Sequence, residues 1–466
     1  MNLDEASCYQ ALISRDHRFD GRFYAGVLST GIYCRPVCPA RKPSASNCRY
    51  FRTAAAAEQA GFRPCLKCRP ERAPGCSWHD SSSHLARRAE AALRAGTVAS
   101  ITTLAAQLQT TPRHLRRVFQ NHFGVTPVAY RQTQRLLLAK TLLTDTRLPI
   151  SEVAMAAGFG SLRRFNALFA EHYRLSPGQF RRHPPAAQDS AVFTLAFRPP
   201  LDWPALLHFL GQRCIDGVEQ VIDGQYQRTL RLPMHGRWYQ GWLSVCCAEQ
   251  ALQVTVSSGL LAVLPRVLAA VRQLFDVDAE PAAVQQVLGS LAHNPGLRAP
   301  GAVDGLEMAV RAILGQQITV AAARTLAGRV ARLGPPATTP FAALTHYFPD
   351  AALLAQLAPA QLAERGVIGR RAQAIIALAQ AVHDGLTLDP SADPEHTQQA
   401  LQAIAGIGPW TASYITMRAL HWPDAWPYND HGLKMATGLS GQALAEHMMQ
   451  YRPWRAYATL QLWSSL

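Results

Sequence analysis

The stretch Ile404-Ala405-Gly406-Ile407-Gly408-Pro409-Trp410, followed by Asp430 twenty positions beyond Trp410, decides the fold of the C-terminal part of the chain. Two glycines spaced by one apolar residue permit a tight turn with backbone N–H groups facing outward, because glycine reaches positive φ without a steric penalty. A turn of that kind opening a helix receives a phosphate on its free N–H groups. An ordinary interhelical turn has the same spacing. Asp430, set beside Tyr428, Asn429 and His431, equally has the residue type of a helix N-cap.

The surroundings of the turn weigh on that choice. Arg311-Ala312-Ile313-Leu314-Gly315-Gln316-Gln317-Ile318, the glycine turn, Thr411-Ala412-Ser413-Tyr414 and Asp430 together resemble a helix-hairpin-helix DNA glycosylase of the AlkA-like alkylation-repair type, over residues 301–466. The resemblance implies that Asp430 is the catalytic carboxylate and that Gly406 and Gly408 hold the DNA backbone. Breaking an N-glycosidic bond builds an oxocarbenium-like sugar, which an ionised carboxylate stabilises while orienting water. Relatives that also nick the strand carry a Schiff-base lysine where this chain has Trp410, and the only lysine after Lys140 is Lys434. A monofunctional hydrolase is therefore expected.

A base acted upon must leave the stack for a pocket. Trp410 and Tyr414 lie four residues apart and share a helix face, and Trp454 resembles the family's third aromatic. These three are the expected pocket walls, with plain core packing as the alternative. Alkylated purines such as 3-methyladenine and 7-methylguanine are cationic, and an aromatic face attracts a cation. Where AlkA wedges an apolar side chain into the vacated stack, this chain has Gln317, a departure from the family pattern.

The N-terminal end carries a second chemistry. Cys34-Arg35-Pro36-Val37-Cys38 and Cys65-Leu66-Lys67-Cys68 give a Cys-x3-Cys and a Cys-x2-Cys pair, the layout of one four-thiolate Zn2+ site. Disulfides are disfavoured by the expected reducing, cytoplasmic setting. No second metal spacing appears among Cys8, Cys48, Cys76, Cys214, Cys246 and Cys247. Residues 1–78, with Thr30-Gly31-Ile32-Tyr33 and Ala60-Gly61-Phe62-Arg63-Pro64 flanking the cysteines, resemble the N-terminal domain of the bacterial Ada adaptive-response proteins. That likeness implies that Cys34 takes a methyl group, once and irreversibly, from a DNA methylphosphotriester. Zinc-held sulfur is thiolate, the reactive form, and methylating one of four thiolates lowers repulsion towards phosphate. Arg35, Arg41, Lys42, Arg63, Lys67 and Arg69 are candidate backbone contacts.

Residues 84–183 resemble the paired helix-turn-helix module of AraC-type regulators. Thr111 and Pro112 read as N-cap and first residue of one reading helix. Gly158 reads as the second turn and Ser161 as the second cap. Arg113, His114, Arg116, Arg163, Arg164 and Asn166 are the side chains expected near bases or phosphates. Charge agrees with this placement. Residues 1–190 hold 27 Lys+Arg against 12 Asp+Glu, whereas 191–466 hold 19 against 19, so general DNA affinity is expected from the first two modules.

The 466 residues, 48% hydrophobic, suffice for several cores. The expected fold class is multidomain and mainly α: a small zinc α+β domain, an all-α double helix-turn-helix, an α+β segment at 191–297 resembling the AlkA N-terminal domain, and the all-α glycosylase domain. Pro184 to Ser190 reads as a linker, Val192–Phe197 and Gly241–Val245 as strands, Leu261–Phe275 as a helix, and the stretches around Thr338 and Asp389 as loops. Neither an iron–sulfur cluster, since no cysteine follows Cys247, nor a nucleotide cofactor is expected. A Pro-Cys-His-Arg nucleophile is missing, so removal of methyl from guanine oxygen is not expected. The partners expected are double-stranded DNA, damaged and operator, and RNA polymerase; no membrane, a monomer, and nucleoid association while on DNA complete the reading. Two alternatives stand beside it: a methylation-sensing regulator whose glycosylase domain only binds DNA, and a strand-nicking glycosylase.

Overall fold

The computed structural model describes residues 4–74, 84–181, 189–234 and 236–466. Of the expected linker Pro184 to Ser190, residues 184–188 lie outside them, as does Cys76, and Ser190 is already the first residue of a strand. The chain divides into two compact units, one comprising Met1–Pro199, Ala248–Ala269 and Val277–Glu280, the other Pro200–Cys247, Ala270–Asp276 and Pro281–Leu466. The division runs through the segment 191–297 rather than around it. Among the described residues no helix is long and apolar enough to cross a membrane.

In the first unit, strands β1 (Tyr24–Val27), β2 (Ile32–Cys34), β3 (Cys48–Phe51) and β4 (Arg63–Pro64) form a sheet in the order β3-β1-β2-β4. The β1–β2 and β1–β3 pairs are antiparallel, while β2 and β4 run parallel with Tyr33 opposite Pro64. That register brings Cys34, the last residue of β2, and Cys65, the residue after β4, to the same end of the sheet.

Two helix-turn-helix units follow, joined by the long helix Pro127–Asp145. The first pairs Ile101–Gln107 with Pro112–Phe123, the second Ile150–Ala156 with Leu162–Tyr173. Thr111 accepts from the His114 N–H and Ser161 from the Arg164 N–H, so both expected caps are formed. Gly158 takes φ +81° in the second turn. Its counterpart Gln109 holds φ +53° without being glycine, which no residue-type signal announced. Leu115, Phe119, Phe165 and Phe169 point into the cores of their units. Strands β5 (Ser190–Ala196) and β9 (Ala251–Ser257) pair antiparallel in this unit.

The second unit holds strands β6 (Glu219–Ile222), β7 (Gln225–Met234) and β8 (Arg237–Ala248), an antiparallel meander. Asp223-Gly224, both at positive φ, make the two-residue turn that matches strand twist. The expected helix at 261–275 begins as a 3-10 turn, Ser258–Val263, in the first unit and continues as Leu264–Leu274, of which Ala270 onward belongs to the second. Helices Gly305–Leu314, Val320–Ala331, Arg370–His383, Pro394–Gln402 and Pro409–Ala419 enclose a core that includes Ile313, Val330, Ile375, Leu401 and Ile415. His431–Thr437, Gly441–Met449 and Arg455–Ser464 complete the unit.

Candidate functional site

The hairpin joins Pro394–Gln402 to Pro409–Ala419. Only Gly406 takes positive φ, +95°, and a Cβ there would lie 3.1 Å from the Cβ of Ala374. Gly408 is the extended N-cap residue, and a Cβ on it would meet nothing within 4 Å. The first glycine thus serves the turn, whereas the second leaves open space in front of a helix N-terminus. Gln316 ties this turn to the neighbouring one, donating to the Gly406 carbonyl at 2.9 Å and to Thr411 Oγ1 at 3.0 Å. Gln317, beside it, is exposed at φ +56° in the turn between Gly305–Leu314 and Val320–Ala331.

Asp430 is buried and caps His431–Thr437: its Oδ1 accepts from the Leu433 N–H at 2.9 Å. The cap does not exhaust the carboxylate. Trp410 Nε1 donates to Oδ2 at 2.8 Å and Trp463 Nε1 donates to Oδ1 at 2.8 Å. Three N–H donors on two oxygens fix the carboxylate's orientation, as a working group requires. Trp410 stacks on Tyr414 with ring centroids 5.2 Å apart and planes at 15°, and Tyr414 lies 6.3 Å from the Trp463 ring. Asp430, Trp410 and Tyr414 are therefore brought together.

Trp454 is not with them. It is buried at 1% exposure, edge-on to Tyr457 at the start of the terminal helix, while Trp463, nine residues on, is the indole that reaches the acid. The expectation that Trp454 walls the base pocket is corrected accordingly. A second tryptophan on the same helix is the signal in the sequence that points to Trp463.

Tyr414 is also held from behind. Burial pushes its phenol up, but Arg418, donating to the hydroxyl at 2.8 Å, together with Arg213 and Arg311, outweighs this and lowers it below the ordinary tyrosine value. Arg311 is engaged internally: it binds Glu219 at 2.7 Å, and Arg228 binds Glu307 at 2.7 Å, a buried set that fastens Gly305–Leu314 to β6 and β7. Lys434 is half-buried, one turn beyond Asp430.

In the first unit, Cys34, Cys38, Cys65 and Cys68 are buried, unbridged, and have their sulfurs within 4.8 Å of one another. Cys38 and Cys65 sulfurs lie 3.9 Å apart, close to the roughly 3.8 Å edge of a tetrahedron with Zn–S near 2.3 Å. The donor set fits one Zn2+. Arg35 braces it: its backbone N–H donates to Cys68 Sγ at 3.3 Å, and its guanidinium binds Asp20 and the Cys68 carbonyl. Arg35 and Arg69 are thus internal, the latter bound to Glu71 and Asp145, and Lys42 donates to the Ile13 carbonyl. Of the six expected backbone contacts, Arg41, Arg63 and Lys67 are exposed without such ties among the described residues. Arg113, His114, Arg116, Arg163, Arg164 and Asn166 are exposed on the two reading helices.

Four family profiles match the chain: the metal binding domain of Ada over residues 7–71, a helix-turn-helix domain over 104–183, the AlkA N-terminal domain over 192–304, and the HhH-GPD superfamily base excision DNA repair protein over 310–443. The Mycobacterium tuberculosis protein named "Probable bifunctional transcriptional activator/DNA repair enzyme AlkA" is 40% identical across 100% of this chain and 97% of its own. Escherichia coli DNA-3-methyladenine glycosylase 2 is 36% identical over 58% of this chain and 96% of its own. Bacillus subtilis bifunctional transcriptional activator/DNA repair enzyme AdaA is 31% identical over 37% of this chain and 81% of its own.

Proposed function

Because the chain belongs to the family of AlkA-type bifunctional transcriptional activator/DNA repair enzymes, we propose that it excises alkylated bases of the 3-methyladenine and 7-methylguanine class from duplex DNA, with Asp430 as the catalytic carboxylate. The observation that carries this reading is the pair of indole N–H groups from Trp410 and Trp463 aiming Asp430 beside the Trp410–Tyr414 stack. The flipped base is received by those aromatic faces. As the bond from the sugar to the base nitrogen breaks, the electron pair leaves with the base, and the Asp430 charge stabilises the cationic sugar. Water then adds to the sugar carbon and loses its proton, completing a hydrolysis that needs no lysine. Gly406 and Gly408 hold the backbone, and Gln317 stands at the vacated stack.

Cys34 is proposed as a one-shot acceptor of methyl from DNA methylphosphotriesters. Bound zinc supplies the chemistry of keeping sulfur as thiolate at neutral pH. The two helix-turn-helix units read an operator through Arg113, Arg116, Arg163, Arg164 and Asn166, two reading helices in one chain removing the need for a dimer. RNA polymerase is the partner on which an activator acts. The modules in this reading are 1–78, 84–183, 191–297 and 301–466.

Release of 3-methyladenine and 7-methylguanine from methylated duplex, without strand nicking, tests the glycosylase. Nicking stoichiometric with base release would favour a lyase, and binding without release would leave a regulator with a DNA-binding arm.

A further inference from the structure

The cleft beside Cys34 is built by two modules. It is a cavity of about 410 Å³ whose floor includes Cys34, Cys38 and Cys65. The sheet and the zinc knuckle line it with residues that include Ile32 and the exposed Leu66; Tyr173, Leu175 and Phe180, at the end of the second reading helix and just beyond it, line it from the other module. Arg41, Arg63 and Lys67 also line it, and all three are exposed. The site thus has a sulfur floor, apolar walls and a basic border.

The lining from that module is held firmly. Arg174, at φ +60°, ends the reading helix, and a capping box between Ser176 and Gln179 sets the short turn Pro177–Phe180. Phe180 packs edge-on to Phe169 at 5.4 Å and against Tyr173 at 5.8 Å. A polar seam fastens the zinc domain to the long helix Pro127–Asp145 of the helix-turn-helix module. Arg69, the residue after Cys68, donates twice to Asp145 at 2.8 Å; buried Lys140 donates to Glu71 at 2.7 Å; and Glu58 accepts from Thr133 at 2.8 Å and from Tyr33, the residue before Cys34, at 3.1 Å.

We propose that this cleft is a composite alkyl-phosphotriester site in which Leu175 and Phe180 of the DNA-reading module seat the ester alkyl group against the Cys34 sulfur. It rests on Cys34 being the acceptor. In the transfer, the sulfur lone pair forms an S–C bond to the alkyl carbon while the C–O bond breaks; the oxygen keeps the electron pair and departs as a phosphodiester anion. Negative charge moves from sulfur to phosphate. Apolar walls keep water from the thiolate and from the alkyl carbon, and the basic border stands where the anion emerges. An unalkylated phosphodiester, already anionic, gains nothing from an apolar wall and is repelled by thiolates. The wall therefore selects the neutral triester, and the helix-turn-helix module belongs to the repair site as well as to operator reading.

The test uses the full-length, zinc-loaded chain and a duplex carrying one methylphosphotriester, with mass spectrometry of the Cys34 peptide as the readout. Leu175→Ala/Phe180→Ala is expected to accept methyl about tenfold more slowly, with zinc content and operator binding unchanged, and Phe180→Leu to recover most of the rate. Leu175→Gln, at a half-exposed position, is the second variant should the first lose its zinc; it too must be slowed. Wild-type rates in Leu175→Gln, or in a zinc-loaded double variant, overturn the composite site while leaving Cys34 as acceptor. No methyl on wild-type Cys34 removes both readings.

Discussion

Trp463 Nε1 donates to Asp430 Oδ1 at 2.8 Å, across 33 residues of sequence, while Trp410 Nε1 holds the other oxygen at the same distance. The acid is thereby aimed from two sides, and its remaining N–H partner is the cap bond from Leu433.

Removing one aiming hydrogen bond should cost rate rather than fold. Trp463→Phe keeps a ring but loses the N–H, and single-turnover base release is expected to fall about tenfold to a hundredfold. Trp454→Phe, at a core position 1% exposed, should lower thermal stability and leave the rate per folded molecule unchanged.

The two hairpin glycines should separate stability from binding. Gly406→Ala places a Cβ at φ +95° against Ala374 and the Arg370 carbonyl, so a loss of about 1–2 kcal/mol in unfolding free energy is expected. Gly408→Val meets no protein atom within 4 Å of its Cβ and should unfold normally. Its defect should appear in fluorescence anisotropy as weakened binding to abasic-site DNA, because the side chain fills the space in front of the helix N-terminus.

Glu58 gives the first unit a pH dependence. Burial pushes its carboxyl up to about 7, with Thr133, Tyr33 and Lys140 opposing and Glu71 adding to the rise. A carboxyl raised on folding binds more protons folded than unfolded between its ordinary value and about 7, so stability falls as pH rises through that window. The loss is roughly 3 kcal/mol once complete. Chemical denaturation at pH 5.5 and 8 should show it, and Glu58→Gln, whose amide accepts from one of the two hydroxyls and donates to the other, should flatten the difference.

The reading helices should carry affinity without carrying excision. Arg163→Ala/Arg164→Ala removes two exposed cations from the second unit. Operator affinity should drop, and the slope of log K against log salt should shrink by about 0.9 for each phosphate no longer neutralised. Base release from a short methylated duplex at saturating enzyme should be unaffected.

Much of this molecule is legible in its sequence because its signals are local. The caps Thr111 and Ser161, the turn at Gly158, the Cys-x3-Cys and Cys-x2-Cys pairs and the glycine hairpin each lie within a dozen residues and appear where expected. What sequence could not supply is partnership at long range. Arg35 and Arg69 read as DNA contacts because they are basic and flank zinc ligands, yet Asp20 and Asp145 claim them. Trp454 and Trp463 lie at the start and near the end of one helix, and only the packing of that helix on Asp430 tells the core residue from the one that bonds the carboxylate. Asp430 reads in the sequence as either cap or catalyst; the structure shows the cap bond with two further donors, so one role does not displace the other.

The most direct test compares base release from methylated duplex DNA by the intact protein and by Asp430→Asn, at equal folded concentration. The prediction is release of 3-methyladenine and 7-methylguanine by the parent, falling about a hundredfold or more in the variant, with the duplex still bound. Equal release by both proteins would contradict the assignment of Asp430, and release by neither would leave this half of the chain a DNA-binding arm.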